Sequence, residues 1–332
     1  MRLVRRDVPD LAEVRRITEK KRDAWWTVLL VDPVATPLVR QLAMRTRVTP
    51  NQITWGAFLL GLVSAACFAL GDWRWLVVGA AVYHVSFIFD CMDGKLARLT
   101  GQGSVFGAWL DFVFDRIRVA ACAVALMAGQ YGRSGDELYI WLALAVVGLD
   151  TLRYINSLEI FKIRHTMRKQ IKSRLREARR AENQAELAFM EDLLRDNPEA
   201  DIEQDASRAG AAAGVEAGVE AEVEAAESAT AVPSPRVIDL QREFRLRFPA
   251  YLRVRAFLLR YRIRPHLVSG IEFQMGAFII GPLLDAVLEA TVVSGVLLLV
   301  FELAIIYKLL LSTRDFTRTI NSFERDAVTK AA

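Results

Sequence analysis

The chain has 332 residues, 53% of them hydrophobic and 25% charged, with a mean hydropathy of +0.23. That is high for a soluble protein of this size, and several runs approach the ~20 apolar residues that cross a bilayer. The net charge of +4 could suggest nucleic acid, but the basic residues flank apolar runs, where topology and anionic lipid explain them and no nucleic-acid partner is expected.

Residues 1–46 form a cytoplasmic or interfacial N-terminal segment. Within it, AWWTVLLVDPVATPLVRQLAM at 24–44 is amphipathic, and too short and Pro-broken to span. Two tryptophans followed by aliphatics suit a helix lying in the interface; a helix packed on the spans is the alternative. Six spans follow, at about 52–71, 75–92, 105–128, 138–160, 267–285 and 288–311, which predicts an all-α polytopic membrane protein. Its membrane core is 47–161 and 263–312, with a cytoplasmic tail at 313–332. RVTPNQITWG at 47–56 opens the first span, and the similar RIRPHLVSGIEF at 262–273 opens the fifth. The common chemistry of starting a helix after Pro accounts for that likeness without an internal repeat.

A cytoplasmic insertion at 162–262 separates spans four and five. Residues 162–196 are charged and helix-prone. Residues 200–235 are low-complexity Ala, Glu, Gly and Val that cannot bury a core, so disorder is expected there. Residues 236–263 alternate Arg with Phe, Leu, Tyr and Val, which suits a basic helix at the membrane surface.

Arg and Lys crowd the N-terminal segment, the insertion and the tail, whereas the opposite connections are short and nearly bare. The positive-inside rule puts both termini, the insertion and the short 92–104 connection in the cytoplasm of a multi-pass cell-membrane protein. Cys67, Cys91 and Cys122 lie in or beside spans without CxxC spacing, which excludes a disulfide framework or zinc site. No cleavable signal peptide is visible before the first apolar run.

Four aspartates stand out: Asp90, Asp93, Asp111 and Asp115, near the cytoplasmic ends of spans two and three. A charge at the centre of a span costs about 2.5–3.5 kcal/mol, and less near its ends. Four neighbouring carboxylates also repel one another, so such a cluster implies a metal site or a cation pathway. Asp90 and Asp93 are i,i+3 and Asp111 and Asp115 i,i+4, so each pair shares a helix face. Gly94 and Gly107 beside them allow close approach. Hard carboxylate ligands suit Mg²⁺ or Mn²⁺. Arg98, one turn after Gly94, is placed as a phosphate clamp, which favours phosphoryl chemistry over ion transport.

Asp90, Asp93, Gly94, Ala97, Arg98, Gly107, Asp111 and Asp115 fill the pattern D-x2-D-G-x2-A-R-x8-G-x3-D-x3-D. The chain thereby resembles the class I CDP-alcohol phosphatidyltransferases, well over 45–160 and by topology alone over 262–312. The resemblance implies two metal ions, Mg²⁺ or Mn²⁺, bridged by Asp90 and Asp111, with Asp93 completing the first and Asp115 the second. It implies Asp115 as general base, and Gly94, Arg98, Ser104 and the stretch Asn51, Gln52, Ile53 and Thr54 as contacts of the CDP donor. A helix N-cap is the plainer reading of Ser104. The implied reaction, part of phospholipid biosynthesis, moves a phosphatidyl or other substituted phosphate group from a CDP-activated lipid such as CDP-diacylglycerol. The acceptor is a small alcohol of the inositol, inositol phosphate or glycerol phosphate type, and CMP is released. A homodimer in the lipid bilayer is implied as well. No Ser or Cys paired with His lies at the site, so direct in-line transfer is expected.

Asp150 and Arg153 are i,i+3 on span four. Arg153 either contacts an anionic group of the acceptor or neutralises Asp150. Arg116 and Arg118 either balance the aspartates or recognise substrate, with Arg116 assigned to the acceptor. Glu272 and Glu302 are expected to have partners within the spans, and His84 to be hydrogen-bonded. The rival reading is a divalent-cation transporter, which predicts acids continuing through the bilayer, whereas spans one and six are almost wholly apolar.

Overall fold

A computed structural model describes residues 9–181 and 249–331. Among them every regular element is a helix, and the extended backbone pairing is an isolated parallel bridge between Asp23 and Ile263. The described residues fall into two compact units, one of 9–154 and 258–301, the other of 155–181, 249–257 and 302–331. Most of the insertion, including 200–235, lies outside the described residues.

In the first unit, α1 (Leu11–Thr18) starts at Asp10, whose side chain accepts from Glu13 N at 2.8 Å. A π-turn, Thr27–Val31, leads into α2 (Asp32–Arg45). Val31, Ala35, Val39 and Ala43 recur every four residues and are buried, while Leu29, Leu30, Val34 and Leu38 are exposed. The segment therefore packs on the unit with one apolar face and displays another.

Helix α3 (Pro50–Ala69) begins with a capping box: Thr49 caps it, Gln52 Oε1 accepts from Thr49 N at 3.0 Å, and Pro50 takes the first turn. Helix α4 (Trp73–Thr100) does not end near residue 92 as the apolar pattern suggests. The helix-forming run Lys95–Leu99 carries it through the motif, and Gly101 at φ +66° ends it in the left-handed region. Residues 101–104 alone then lead into α5 (Val105–Ser134), capped by Ser104, whose Oγ accepts from Gly107 N at 2.9 Å. Helix α3 lies against both α4 and α5. Ser64 Oγ donates to Gly79 O at 2.8 Å and Ser86 Oγ to Ala57 O at 2.7 Å, tying α3 to α4.

Helix α6 (Leu138–Ala181) is 44 residues long, about 66 Å at 1.5 Å per residue. It continues well beyond the expected fourth span because charged helix formers follow the apolar run. Helix α7 (Pro249–Arg260) precedes the bridge segment 262–264, where Asp23 N donates to Arg262 O at 2.9 Å and Arg264 N to Asp23 O at 3.0 Å. Helix α8 (Gly270–Leu284) contains a π-turn at Gly276–Ile280. Its start is a second capping box, with Glu272 Oε2 accepting from Ser269 N at 2.9 Å and Ser269 Oγ at 2.6 Å. Glu272 thus serves a helix terminus. Helix α9 (Val287–Ala331) is the last element.

Among the described residues, four helices are long and apolar enough to cross a membrane: α3, α4, α6 over Leu138–Ile171 and α9 over Val287–Asn321. The other two expected spans differ for separate reasons. Helix α5 has the length but carries Asp111, Asp115, Arg116 and Arg118 in one half. Helix α8 is apolar but shorter than a span.

In the second unit, Ile160, Arg164, Met167 and Ile171 form the buried face of α6, and Leu309, Leu311, Ser312 and Asp315 that of α9. Asn156 Nδ2 donates to Glu302 Oε2 at 2.6 Å, supplying the partner expected for Glu302.

Candidate active site

The motif lies wholly in the first unit. The four-residue link between α4 and α5 turns the chain back, so acids from both helices meet. Oxygens of Asp90, Asp111 and Asp115 all lie within 4.8 Å of one another. Asp93, one turn further along α4, is outside that trio. It is buried, and its Oδ2 accepts a hydrogen bond from Thr54 Oγ1 of α3, which also donates to Pro50 O at 3.2 Å.

A buried base meets these acids. Arg118, with its side chain 3% exposed, donates from Nη2 to Asp115 Oδ1 and from Nη1 to Asp90 Oδ1 at 3.2 Å. Its guanidinium also reaches Ser86 Oγ at 3.3 Å and lies 6.0 Å from the centre of the Tyr83 ring. Gly61 of α3 makes room for the shaft, since a Cβ there would stand 2.5 Å from Arg118 Cγ and Cδ.

The trio suits a divalent cation. Its donors are all carboxylate oxygens, and Asp111 Oδ1 is buried without a hydrogen-bond partner among the described residues. A buried, unpartnered carboxylate oxygen costs free energy that a metal ion would recover.

The remaining expected residues occupy varied positions. Asn51 faces Gly107, where a Cβ would stand 2.7 Å from Asn51 Oδ1. Gln52 closes the α3 capping box, and Ile53 and Thr54 are buried on the inner face of α3. Ser104 is the N-cap of α5. Gly94 follows Asp93 on α4 and is half-buried. Arg98 is turned toward the N-terminal segment, donating from Nε and Nη2 to Thr18 O at 3.1 and 2.9 Å.

The two arginines assigned to the acceptor have different neighbours. Arg116 is ion-paired with Asp150 and lies 5.3 Å from the centre of the Tyr154 ring. Asp150 also accepts from Gln274 Nε2 of α8 at 2.9 Å. Those two partners, distant in the chain, were not signalled by the i,i+3 spacing to Arg153. Arg153 is buried against Gly270, where a Cβ would stand 2.5 Å from its Nη1. The expectation for His84 is not met. Its Nδ1 is buried without a hydrogen-bond partner among the described residues, and its ring meets Trp26 edge-on at 6.0 Å.

Residues 47–177 match the family model for CDP-alcohol phosphatidyltransferases. Every position of the acidic motif falls within that match. These residues are a CDP-alcohol phosphatidyltransferase domain. Among curated proteins, the chain is 34% identical over 137 residues to a phosphatidylinositol phosphate synthase of Cutibacterium acnes, covering 40% of this chain and 58% of the relative. It is 34% identical over 82 residues to an archaetidylinositol phosphate synthase of Pyrococcus horikoshii, covering 25% and 42%. It is also 34% identical over 109 residues to a bifunctional IPC transferase and DIPP synthase of Thermococcus kodakarensis, covering 32% and 24%. In each case the chain spans less than two thirds of the relative's length. The phosphatidyltransferase domain takes in α3, α4, α5 and most of α6; α1, α2, α8 and α9 lie outside it.

Proposed function

We propose that the chain transfers a substituted phosphate group from a CDP-activated lipid, such as CDP-diacylglycerol, to an alcohol acceptor of the inositol phosphate type, releasing CMP in phospholipid biosynthesis. The observation that carries this reading is the convergence of Asp90, Asp111 and Asp115 within 4.8 Å, with Asp111 Oδ1 unpartnered, inside a phosphatidyltransferase domain. The names of the two inositol phosphate synthases among the relatives supply the inositol-type acceptor. Two ions, Mg²⁺ or Mn²⁺, held by Asp90, Asp93, Asp111 and Asp115, would supply Lewis-acid stabilisation of the pyrophosphate.

The residues divide the remaining work. Asp115 takes the proton of the acceptor hydroxyl, whose pKa is far above neutral, as the new P–O bond forms. Asn51, Gln52, Ile53, Thr54, Gly94, Arg98 and Ser104 line the donor side, with Arg98 exchanging the Thr18 carbonyl for the donor. Arg153, with Arg116, receives the acceptor's anionic group.

The same reading has six crossings, α5 and α8 completing the set, with the termini, the insertion 162–262 and the acids on the cytoplasmic side. It also has the chain acting as a homodimer, with residues 1–46 at the membrane surface. A transporter using the same carboxylates gives no role to the glycines and arginine of the motif.

The test is CMP release by membranes supplied with CDP-diacylglycerol, Mg²⁺ and a panel of acceptors. Release stimulated by inositol phosphate above inositol, glycerol phosphate and serine supports the assignment. Equal, unstimulated release with every acceptor contradicts it.

A further inference from the structure

The acids of the motif meet a cation supplied by the protein itself. Arg118 lies outside the eight-position motif, yet it binds one oxygen of Asp90 on α4 and one of Asp115 on α5. Three features of neighbouring helices fit it there. Gly61 leaves space for the shaft, Ser86 Oγ lies 3.3 Å from Nη1, and the Tyr83 ring stands 6.0 Å from the guanidinium. Its side chain is 3% exposed, so solvent does little to screen it. A buried guanidinium with this much accommodation is a fixed part of the cluster.

Resting on the metal reading above, we propose that Arg118 is a positioning residue acting as a resident cation. It holds Asp90 and Asp115 together before any metal arrives and weakens divalent-ion binding to the cluster. The charge balance carries the argument. Asp90, Asp93, Asp111 and Asp115 would carry four negative charges, and Arg118 offsets one of them. It also occupies an oxygen on each of two carboxylates that a metal would otherwise coordinate. By Coulomb's law, a unit positive charge on the same carboxylates weakens a divalent ion by on the order of tenfold even with water-like screening.

The consequence has two opposed parts. Without metal, removing Arg118 leaves the acids to repel one another and lowers stability. With metal, the same removal frees two oxygens and one repulsion, so the ion binds more tightly. A purely structural arginine gives the first effect without the second.

The test is Mn²⁺ binding to the full chain in detergent or nanodiscs, read from the electron paramagnetic resonance signal of free Mn²⁺, for wild type, Arg118→Met and Arg118→Lys. Arg118→Met is expected to lower the Mn²⁺ Kd ~10-fold, with Arg118→Lys within about threefold of wild type because the charge is kept. In chelator, Arg118→Met should melt below wild type, and saturating Mn²⁺ should raise its Tm by more, as tighter binding requires. Should Arg118→Met not fold, Gly61→Ala keeps every charge, crowds the arginine shaft and should shift the Kd in the same direction. An unchanged or higher Kd in Arg118→Met, or in Gly61→Ala where Arg118→Met does not fold, with wild type binding Mn²⁺, overturns the proposal. Wild type that binds no Mn²⁺ overturns the metal site itself.

Discussion

Two groups of charges in the first unit make an instructive pair. Around the N-terminal segment, Asp32 pairs with Lys95 at 2.8 Å and with Arg262 at 3.2 Å, Glu19 pairs with Arg262 at 2.6 Å, and Asp23 meets Arg264 at 3.9 Å. With Arg15 4.0 Å from Glu19, three acids there face four bases, and Lys95 and Asp32 are almost fully buried. Between α4 and α5, the trio Asp90, Asp111 and Asp115 meets Arg118, which pairs with two of the three, and Asp111 keeps a buried oxygen unpartnered among the described residues. A balanced set of buried charges satisfies itself and holds segments together. An acid-rich set is complete only with cations from outside, and this is where the phosphatidyltransferase domain carries its motif.

Substitutions sharpen that contrast, and the largest effects belong to the unbalanced group. Asp111→Asn removes the acid with the unpartnered oxygen, and CMP release should fall by ~10³-fold or more, since both the ion's stabilisation and its template role are lost. Asp115→Asn should lose ~10²-fold or more in single-turnover rate, the scale of a general base, while keeping donor binding measurable by calorimetry in Mg²⁺. Near wild-type turnover by Asp115→Asn would move the base to another residue.

The balanced group should respond in stability. Lys95→Met leaves Asp32 buried with Arg262 as its remaining partner, and breaking a buried pair from one side costs about 3–5 kcal/mol. Thermal unfolding should register that loss, while the Mn²⁺ Kd of the folded fraction stays near wild type. A large change in Mn²⁺ affinity would mean that the two groups are coupled. Thr49→Ala removes the cap of α3, and should cost about 1 kcal/mol. Smallest of all, deleting 200–235 should leave CMP release within a few-fold of wild type, because that composition cannot bury a core. Complete loss in properly inserted protein would assign the segment a role in the reaction.

What the sequence disclosed follows from how local each interaction is. The pairing of Asp90 with Asp93 and of Asp111 with Asp115 was legible because helix spacing places them, and Ser104 read correctly as a cap because its partner is three residues away. The contact of Asp115 with Arg118 is of the same local kind. Its extension to Asp90 was hidden, since it joins two helices through a notch at Gly61 on a third. Asp150 illustrates the same limit, with partners 34 and 124 residues away. Arg98 was read from its place beside the acids and in the motif, and its bonds to Thr18 O depend on a segment 80 residues earlier. Hydropathy found the helices and misjudged where some of them end. It does not register that Lys95–Leu99 continues α4, or that charged helix formers carry α6 on to Ala181.

The central claim is that the acids between α4 and α5 act by holding divalent ions during transfer from a CDP-activated lipid. The most direct measurement is CMP release by the purified full chain in EDTA, then after excess Mg²⁺, for wild type beside Asp111→Asn. The account predicts no release in chelator, full recovery with Mg²⁺ in wild type and none in the variant. Undiminished release in EDTA, or recovery of Asp111→Asn to the wild-type rate, would contradict it.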